Sequence, residues 1–318
     1  MPVTPLDIER EKRQTLEEIR FRRGYLQTLD GMREKFSRAL TAEYCFEKIR
    51  LRRERGEHAI PTGIEWWDVW AGPFRRANVY CFAGYQGTGK TTLAVNLTWP
   101  MARKGVKVWN YCLELTADET FEVVAGHVLG KAVLSESDEA EAYAIIQASG
   151  YLFFEPERDL SWKQHIDIIQ KTVRQEAIDL VVIDNFSYLT SVDKNSYETE
   201  RVAAKALKGL AQELEIPIIV IAHLRKPDRD DSEPKPTAHS VLGSGAITQV
   251  SSETFILHHP LEDSETNSRQ PVGYILSGKP RWTMGGKRYV RFDGSRRKYE
   301  PAMAIEYKGS SQNQRTFK

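Results

Sequence analysis

The sequence predicts an α/β fold, in which a mainly parallel β-sheet lies between helices and follows a short N-terminal helical extension. Strand-like apolar runs alternate with helix-like segments from residue 57 onward. The central runs are apolar throughout, which is typical of parallel strands covered on both faces. Residues 84–91 (GYQGTGKT) match G-x-x-x-x-G-K-[ST], a phosphate-binding pattern that joins a strand to a helix.

Composition places the 318-residue chain among ordinary globular proteins, with 41% hydrophobic and 28% charged residues. The length allows two domains, or one large domain with an appendage. The longest apolar run, Ile216–Ala222, is far shorter than the roughly 20 residues of a membrane span, so no membrane partner is expected. The three cysteines form neither a disulfide framework nor a metal-ligand pattern, which favours a reducing cytoplasm.

Charge is distributed unevenly behind a formal net charge of +1. Residues 1–56 carry 14 basic and 10 acidic side chains, and residues 279–318 carry 11 basic and 3 acidic ones. Residues 57–278 therefore carry a net charge of −11. Such asymmetry is compatible with local contact to a nucleic acid, although scattered surface charge would produce it as well.

The predicted elements divide the chain into an N-terminal helical extension, residues 1–56, and an α/β domain, residues 57–318. Thr4-Pro5 suits a helix start, and apolar residues recur at helical spacing up to Arg55-Gly56. Beyond it, the predicted strands are Val79–Phe82, Lys107–Cys112, Tyr151–Phe154, Leu180–Asp184, Ile216–Ala222, Thr254–His258, Val272–Ser277 and Tyr289–Phe292. The predicted helices are Lys90–Arg103 (which Pro100 should kink or shorten), one capped by Ser161 and Gln164, and one through Val202–Leu214. Trp66, Trp67 and Trp70 are expected to pack in the core rather than stack on nucleic acid.

The glycine-rich loop predicts binding of ATP, or another nucleoside triphosphate, with Mg²⁺. Glycines let backbone N–H groups surround a phosphate, and the following helix presents its N-terminus to the anion. Lys90 is expected to reach the β- and γ-phosphates, and the Thr91 hydroxyl to bind Mg²⁺. The predicted nucleotide-binding residues of this loop are Gly84, Gln86, Gly87, Thr88, Gly89, Lys90, Thr91 and Thr92.

Three further strand ends carry side chains suited to nucleotide hydrolysis. Asp184 ends an apolar strand and is predicted to hold Mg²⁺ through water. Glu114 follows a strand expected to lie beside the phosphate loop, and should orient the attacking water. His223 is predicted to contact the γ-phosphate and report it to the polar loop that follows. Each, taken alone, also fits an ordinary residue at a strand end.

These elements, in this order, resemble the RecA-like motor domain of the DnaB-like hexameric replicative helicases, in particular the phage and Twinkle branch. The resemblance runs from about residue 60 to the C-terminus. It rests on Thr62-Gly63-Ile64 with Asp68, Ala83–Thr92, Cys112–Leu115, Ile183–Asn185, Leu207–Ala211 with Ile216-Pro217, His223, Gly243–Gln249, Lys279-Pro280-Arg281 and Phe292–Gly294.

The resemblance implies an ATP-dependent DNA helicase that assembles into a ring, a hexamer in this family, with each ATP at a subunit boundary. Arg281, with Lys279, would act as a finger toward the ATP of the adjacent subunit, and Phe292 would stack on the base. Single-stranded DNA would pass through the ring, and a primase or a loader would be a further partner. The predicted DNA contacts are Arg225, Lys226, Arg229, Lys235, Gly243, Ser244 and Gly245.

The sequence departs from the family pattern at several points. Leu242 stands where an Arg commonly precedes the G-S-G-A motif, and His258-His259 stand where a basic residue is frequent. Residues 1–56 are too short for the family's N-terminal domain and are expected to correspond to the linker helix that docks on the next subunit. The acidic side chains of the loop after His223 also argue against DNA contact there.

Two other functions remain open from the sequence alone. A RecA- or KaiC-type ATPase that binds DNA without unwinding it would share every nucleotide-binding residue named above. A small-molecule phosphotransferase would also carry the phosphate loop, but it would leave Lys279 and Arg281 without a role.

Overall fold

The computed structural model of the protein describes residues 41–54, 56, 58–157, 159–192, 197–224, 236, 245–263, 268–278, 281–283 and 285–306. The chain divides into two compact units, residues 1–59 and 60–318. The first unit contains helix α1 (Ala42–Glu54), which agrees with the helix predicted there, and residues 1–40 lie outside the described part.

From Ala59, at the boundary of the two units, the chain alternates strands and helices as predicted. After α1 the helices are α2 (Glu65–Trp70), α3 (Lys90–Ala102), α4 (Ala117–Leu129), α5 (Glu136–Gln147), α6 (Trp162–Glu176), α7 (Phe186–Leu189), α8 (Tyr197–Leu214) and α9 (Ala246–Val250), with a 3₁₀ turn at Ala304–Glu306. The strands are β1 (Ala59–Ile60), β2 (Phe74–Arg75), β3 (Val79–Gly84), β4 (Val108–Cys112), β5 (Tyr151–Phe153), β6 (Leu180–Asp184), β7 (Ile218–His223), β8 (Glu253–His258), β9 (Leu261–Asp263), β10 (Ser268–Arg269), β11 (Val272–Ser277), β12 (Gly286–Asp293) and β13 (Lys298–Pro301).

Nine strands form the central sheet, in the order β13-β12-β11-β8-β3-β7-β6-β4-β5. The six strands from β8 to β5 are parallel, and β11, β12 and β13 extend the sheet in antiparallel pairs. The mainly parallel sheet between helices is therefore confirmed. Because β3, β4, β6 and β7 run in one direction, their carboxyl ends meet at one edge of the sheet.

The central strands are buried on both faces, which explains their unbroken apolar sequences. In β3, Tyr80 and Phe82 belong to the core cluster that packs against α3, α4 and α5. Val79 and Cys81 face the second cluster, formed with α6 and α8. The alternation places one hydrophobic layer on each side of the sheet.

Local side-chain caps begin the helices beside the sheet. The Ser161 hydroxyl accepts a hydrogen bond from Gln164 N, and Gln164 Oε1 accepts one from Ser161 N, as the sequence predicted for α6. The same reciprocal arrangement begins α4 at Thr116 and α5 at Ser135, two helices that the sequence analysis did not predict. Within the described part of the chain, no helix is both long enough and apolar enough to cross a membrane.

One sequence expectation is wrong in detail. The strand before Glu114 does not lie beside the phosphate-loop strand, because β7 and β6 lie between β3 and β4. An apolar run predicts a strand but not its neighbours in the sheet. Helix α3 includes Pro100 and ends two residues later, at Ala102, one residue before the predicted end at Arg103.

The predicted packing role of the tryptophans is confirmed at Trp67, whose side chain has no exposure to solvent. Its ring centroid lies 4.8 Å from that of Phe255 and 5.8 Å from that of Phe82. Trp66 and Trp70 are partly buried and pack against the same cluster. The ring of Trp67 thus packs α2 against β3 and β8 of the sheet.

We expect Trp67→Ala to lower the free energy of unfolding by about 3–5 kcal/mol, because it empties a fully buried aromatic site. Denaturant unfolding measures the change. Val69 lies on the same helix and is 81% exposed, so Val69→Ala should change the free energy of unfolding by less than about 0.5 kcal/mol. Equal losses in the two variants would contradict this packing role.

Candidate functional site

The phosphate loop joins the carboxyl end of β3 to the start of α3. Gly87 and Gly89 adopt φ angles of 73° and 83°, which favour glycine. At Gly84 a Cβ atom would lie 2.6 Å from the Leu257 carbonyl oxygen and 2.7 Å from the Thr88 hydroxyl. The glycines of the motif are therefore required by the backbone conformation and by close packing, and the turn leads directly into the N-terminus of α3.

Lys90 occupies the first position of α3 and is almost fully buried. Its Nζ donates to the Tyr85 carbonyl at 2.8 Å, and the Thr88 hydroxyl donates to the same oxygen at 2.8 Å. Burial lowers the pKa of Lys90 to about 8, although the nearby Asp184 and Glu114 oppose that shift. The ammonium group thus lies at the loop, where a phosphate would compete favourably with the carbonyl for it.

The predicted Mg²⁺ ligands lie together. The Thr91 hydroxyl donates to Asp184 Oδ2 at 2.5 Å, so the start of α3 is joined to the end of β6. Burial raises the pKa of Asp184 to about 6, because removal from water disfavours the charged form of the carboxyl group. The hydrogen bond from Thr91 and the nearby Lys90 oppose this rise only in part. A hydroxyl and a buried carboxylate are hard oxygen ligands that fit Mg²⁺.

Such a metal would need further ligands from a nucleotide. Across the described ranges, no group of three or more His, Cys, Asp or Glu side chains could hold a metal ion by itself. Mg²⁺ is commonly held by one or two protein groups together with phosphate oxygens and water. When bound, it would neutralise charge on the phosphates, and Thr91 and Asp184 would hold it.

Glu114 is linked to His223 through Asn185. Asn185 Nδ2 donates to Glu114 Oε2 at 2.7 Å and lies 3.1 Å from His223 Nε2. The direct separation between Glu114 Oε2 and His223 Nε2 is 3.8 Å. His223 and then Asn185 lower the pKa of the Glu114 carboxyl, despite partial burial. The carboxylate is therefore held ionised, as a group that accepts or orients the proton of a water must be.

One cavity of about 310 Å³ collects these side chains at the carboxyl edge of the sheet. Its volume falls within the range of small-molecule sites. The residues that line it are Gln86, Gly87, Gly89, Lys90, Thr91, Thr92, Glu114, Leu115, Val123, Asp184, Ile221 and His223. Residues from four parallel strand ends thus meet around the phosphate loop, and their chemical roles stay predictions.

Three residues at the site were missed by the sequence analysis as functional groups. Asn185 was noted only as the neighbour of Asp184, although its amide connects Glu114 to His223. Arg269 donates to the Gln86 carbonyl at 2.7 Å, and the Tyr299 hydroxyl donates to the Thr88 carbonyl at 3.1 Å. No motif marks Arg269 or Tyr299, because both reach the loop from strands more than 180 residues later in the chain.

The predicted finger segment lies at the opposite edge of the sheet. Gly278 N donates to Thr254 O at 2.9 Å, and Trp282 N donates to Glu253 Oε1 at 3.4 Å, both at the start of β8. Arg281 is exposed, and its guanidinium carbon lies 5.8 Å from the centre of the Trp282 ring. Arg281 is therefore not part of its own chain's phosphate site. Lys279 lies outside the described residues.

Phe292, the predicted base-stacking residue, is partly buried on β12. Its ring centroid lies 5.1 Å from that of Tyr299, which contacts the phosphate loop. It does not line the cavity described above. Stacking of Phe292 on a nucleotide base stays a prediction.

Most of the predicted DNA contacts fall outside the described residues: Arg225, Lys226, Arg229, Lys235, Gly243 and Ser244. Gly245 is described; it precedes α9, and its carbonyl accepts from the Thr248 hydroxyl at 2.8 Å. The chain that leaves β7 begins beside the nucleotide site, because Leu224 N donates to Gly84 O at 3.0 Å.

Fold and site together define a RecA-like phosphate-loop ATPase domain. One solved structure that resembles it is described as an "ATPase Domain", with a TM-score of 0.67 and 18% identity, covering 83% of this chain and all of the other. A second is "The Structure Of A DnaB-Like Replicative Helicase And Its Interactions With Primase", with a TM-score of 0.64 and 16% identity, covering 92% of this chain and 76% of the other. These similarities confirm the fold that the sequence predicted.

The chain belongs to the DnaB-like helicase family, since the family model described as "DnaB-like helicase C terminal domain" matches residues 59–301. It is 25% identical over 236 residues to "Replicative DNA helicase DnaB" of Treponema pallidum, which covers 69% of this chain and 52% of the relative. It is 24% identical over 201 residues to "Probable plasmid replicative DNA helicase" of Chlamydia muridarum, covering 60% and 45%. The chain thus spans about half the length of these curated relatives.

We expect Glu114→Gln to bind ATP but to hydrolyse it at least about 100-fold more slowly, because an amide cannot accept the proton of an attacking water. Single-turnover hydrolysis and direct nucleotide binding separate the two effects. Glu122→Gln is the matched control, since Glu122 is an exposed residue of α4 outside the cavity. Turnover at the wild-type rate in Glu114→Gln would reassign the base.

Proposed function

We propose that this chain is the motor domain of an ATP-dependent DNA helicase, which forms a ring and translocates on single-stranded DNA during replication. ATP and Mg²⁺ are its cofactors, and further copies of the chain are its first partners. The proposal extends to a primase, because one similar solved structure is described as a DnaB-like helicase with its interactions with primase. A loader is a further proposed partner, which the family resemblance implies. A cytoplasmic location, based on the free thiols, is part of the proposal.

The observation that carries the proposal is the meeting of Lys90, Thr91, Asp184, Glu114 and His223 in one cavity. Lys90 would bind the terminal phosphates, and Thr91 with Asp184 would hold Mg²⁺. Glu114 lines the same cavity and is kept ionised, so it would orient the water opposite the γ-phosphate. This set of groups is what hydrolysis of a nucleoside triphosphate requires.

A link between the nucleotide and DNA would run through β7. His223 ends β7 and lines the cavity, and the next residue, Leu224, is hydrogen-bonded to Gly84 of the phosphate loop. Loss of the γ-phosphate would change the contacts of His223 with Asn185 and Glu114. The predicted DNA-binding residues Arg225 and Lys226 follow directly in the sequence, so such a change would reach them first.

Assembly into a ring is supported by where Arg281 lies. In the sheet, Glu253 at the start of β8 pairs with Tyr80 near the start of β3, whereas the phosphate loop follows the end of β3. The finger segment beside Glu253 is thus separated from its own phosphate loop by most of the length of a strand, roughly 10 Å or more at 3.3 Å per residue. Arg281, with Lys279, would therefore act only on the ATP of a neighbouring copy.

The alternative of a RecA- or KaiC-type ATPase without unwinding shares all of these nucleotide groups. Family membership and the relatives' names favour the helicase. A small-molecule phosphotransferase is disfavoured by the same similarities.

We expect the protein to displace one strand of a forked DNA duplex with ATP and Mg²⁺, and to do so less efficiently at higher salt, because phosphate contacts weaken as counterions accumulate. Lys90→Ala, which removes the phosphate-binding ammonium, is the inactive control. ATP hydrolysis that single-stranded DNA stimulates, without strand displacement at low or high salt, would favour the alternative instead.

We expect Arg281→Ala to reduce ATP turnover by about 10³-fold or more, as removal of an arginine finger does. A mixture of Arg281→Ala with Lys90→Ala should recover activity that neither variant has alone, because each supplies what the other lacks at a shared boundary. Arg296→Ala, which removes an exposed guanidinium paired with Glu300, should leave turnover unchanged. Wild-type turnover in Arg281→Ala, or no recovery in the mixture, would contradict a finger supplied by a neighbouring copy.

A further inference from the structure

The C-terminal hairpin, formed by β12 and β13, contacts the phosphate loop from the side of the protein core. Tyr299 of β13 is 5% exposed, and its hydroxyl donates to the Thr88 carbonyl oxygen at 3.1 Å. The same hydroxyl lies 3.5 Å from the Gly89 carbonyl oxygen, which already accepts from Leu93 N at the first turn of α3. A single buried hydroxyl thus reaches the backbone of the loop at the point where it becomes a helix.

We propose that Tyr299 is a positioning residue for the nucleotide, whose hydroxyl holds the peptide group between Thr88 and Gly89 in the orientation that phosphate binding needs. In a trans peptide the C=O and N–H bonds point to opposite sides. A donor fixed on the Thr88 carbonyl therefore directs the Gly89 N–H away from the core, toward the cavity that Gly89 lines. The inference rests on the proposed nucleotide site and adds to it a group that no motif marks.

The backbone of Tyr299 is held in place by contacts with α3, the helix that begins at the phosphate loop. Asn96, on α3, accepts from Tyr299 N through Oδ1 at 3.2 Å and donates through Nδ2 to the Arg297 carbonyl at 3.0 Å. The Asn96 side chain therefore binds the backbone on both sides of Lys298, the residue before Tyr299. His127 Nδ1, from α4, lies 3.0 Å from the same Arg297 carbonyl. The hairpin is thus hydrogen-bonded both to the phosphate loop and to α3, the helix that follows the loop.

Packing around the ring leaves little freedom for the hydroxyl. The Phe292 ring lies against Tyr299, and a Cβ atom at position 89 would collide with the Tyr299 hydroxyl oxygen. Gly89 is thus required twice, once by its positive φ and once by Tyr299. Burial raises the pKa of Tyr299, so the hydroxyl remains a donor across the working range of pH.

The test compares Tyr299→Phe with Tyr151→Phe. Both remove one hydroxyl from a buried ring and keep the ring itself, but the Tyr151 hydroxyl contacts Asn110 in the core, at 3.4 Å, and not the phosphate loop. The measurements are the Kd of a fluorescent ADP analogue with Mg²⁺, the KM and kcat for ATP, and the thermal midpoint of unfolding. ADP is used because it carries the phosphates that the loop surrounds and is not hydrolysed.

We expect Tyr299→Phe to raise the Kd and the KM by about threefold to tenfold, the range of one neutral hydrogen bond, with kcat within about twofold of wild type. Tyr151→Phe should leave the Kd unchanged, even where it lowers the thermal midpoint. An unchanged Kd in Tyr299→Phe, or an equal rise in both variants, would overturn the inference alone. A wild-type protein that binds no nucleotide would overturn the proposed function together with it.

Discussion

The hydrogen bond between the Thr91 hydroxyl and the Asp184 carboxylate is the contact on which the site depends. It joins the start of α3, the helix that follows β3, to the end of β6, and β7 lies between β3 and β6 in the sheet. The bond forms in a buried place, where it opposes the rise in the pKa of Asp184 that burial causes. The parallel direction of the strands makes the contact geometrically available, because their carboxyl ends share one edge. Fold and chemistry are therefore set by the same arrangement.

Around that contact, polar groups are arranged in pairs that restrain each other. Lys90 is held by the Tyr85 carbonyl, and Glu114 is held by Asn185, whose amide also lies beside His223. Buried and half-buried polar groups need such partners, since an unpaired one is costly in a region of low dielectric constant. In the proposed function, a change at the terminal phosphate would therefore alter the contacts of His223, at the end of β7, through Asn185 as well as directly.

The structure shows where some of the positive charges of the basic C-terminal segment lie and which of them are paired. Within the strongly basic segment 279–318, Arg281 lies at the amino edge of the sheet, and Tyr299 of the later hairpin β12–β13 contacts the phosphate loop. Arg296 and Arg291 there pair with Glu300 and Glu306 of the same segment. Two of the positive charges of this segment are thus paired with acidic side chains of the same segment. A net charge of +1 is compatible with a protein that contacts DNA only in a confined region.

The sequence by itself determined the local features: the phosphate loop, the apolar strand that ends at Asp184, and the cap at Ser161, because each depends on residues within a few positions. It also predicted the fold class, since the spacing of apolar residues distinguishes strands from helices in the sequence. Tertiary structure alone decided that β7 and β6 separate β3 from β4, that Asn185 connects Glu114 to His223, and that Tyr299 reaches Thr88. Hydrophobic patterns specify that a strand is buried but not which strand lies beside it. Contacts between residues distant in the chain therefore arise only when the sheet is assembled.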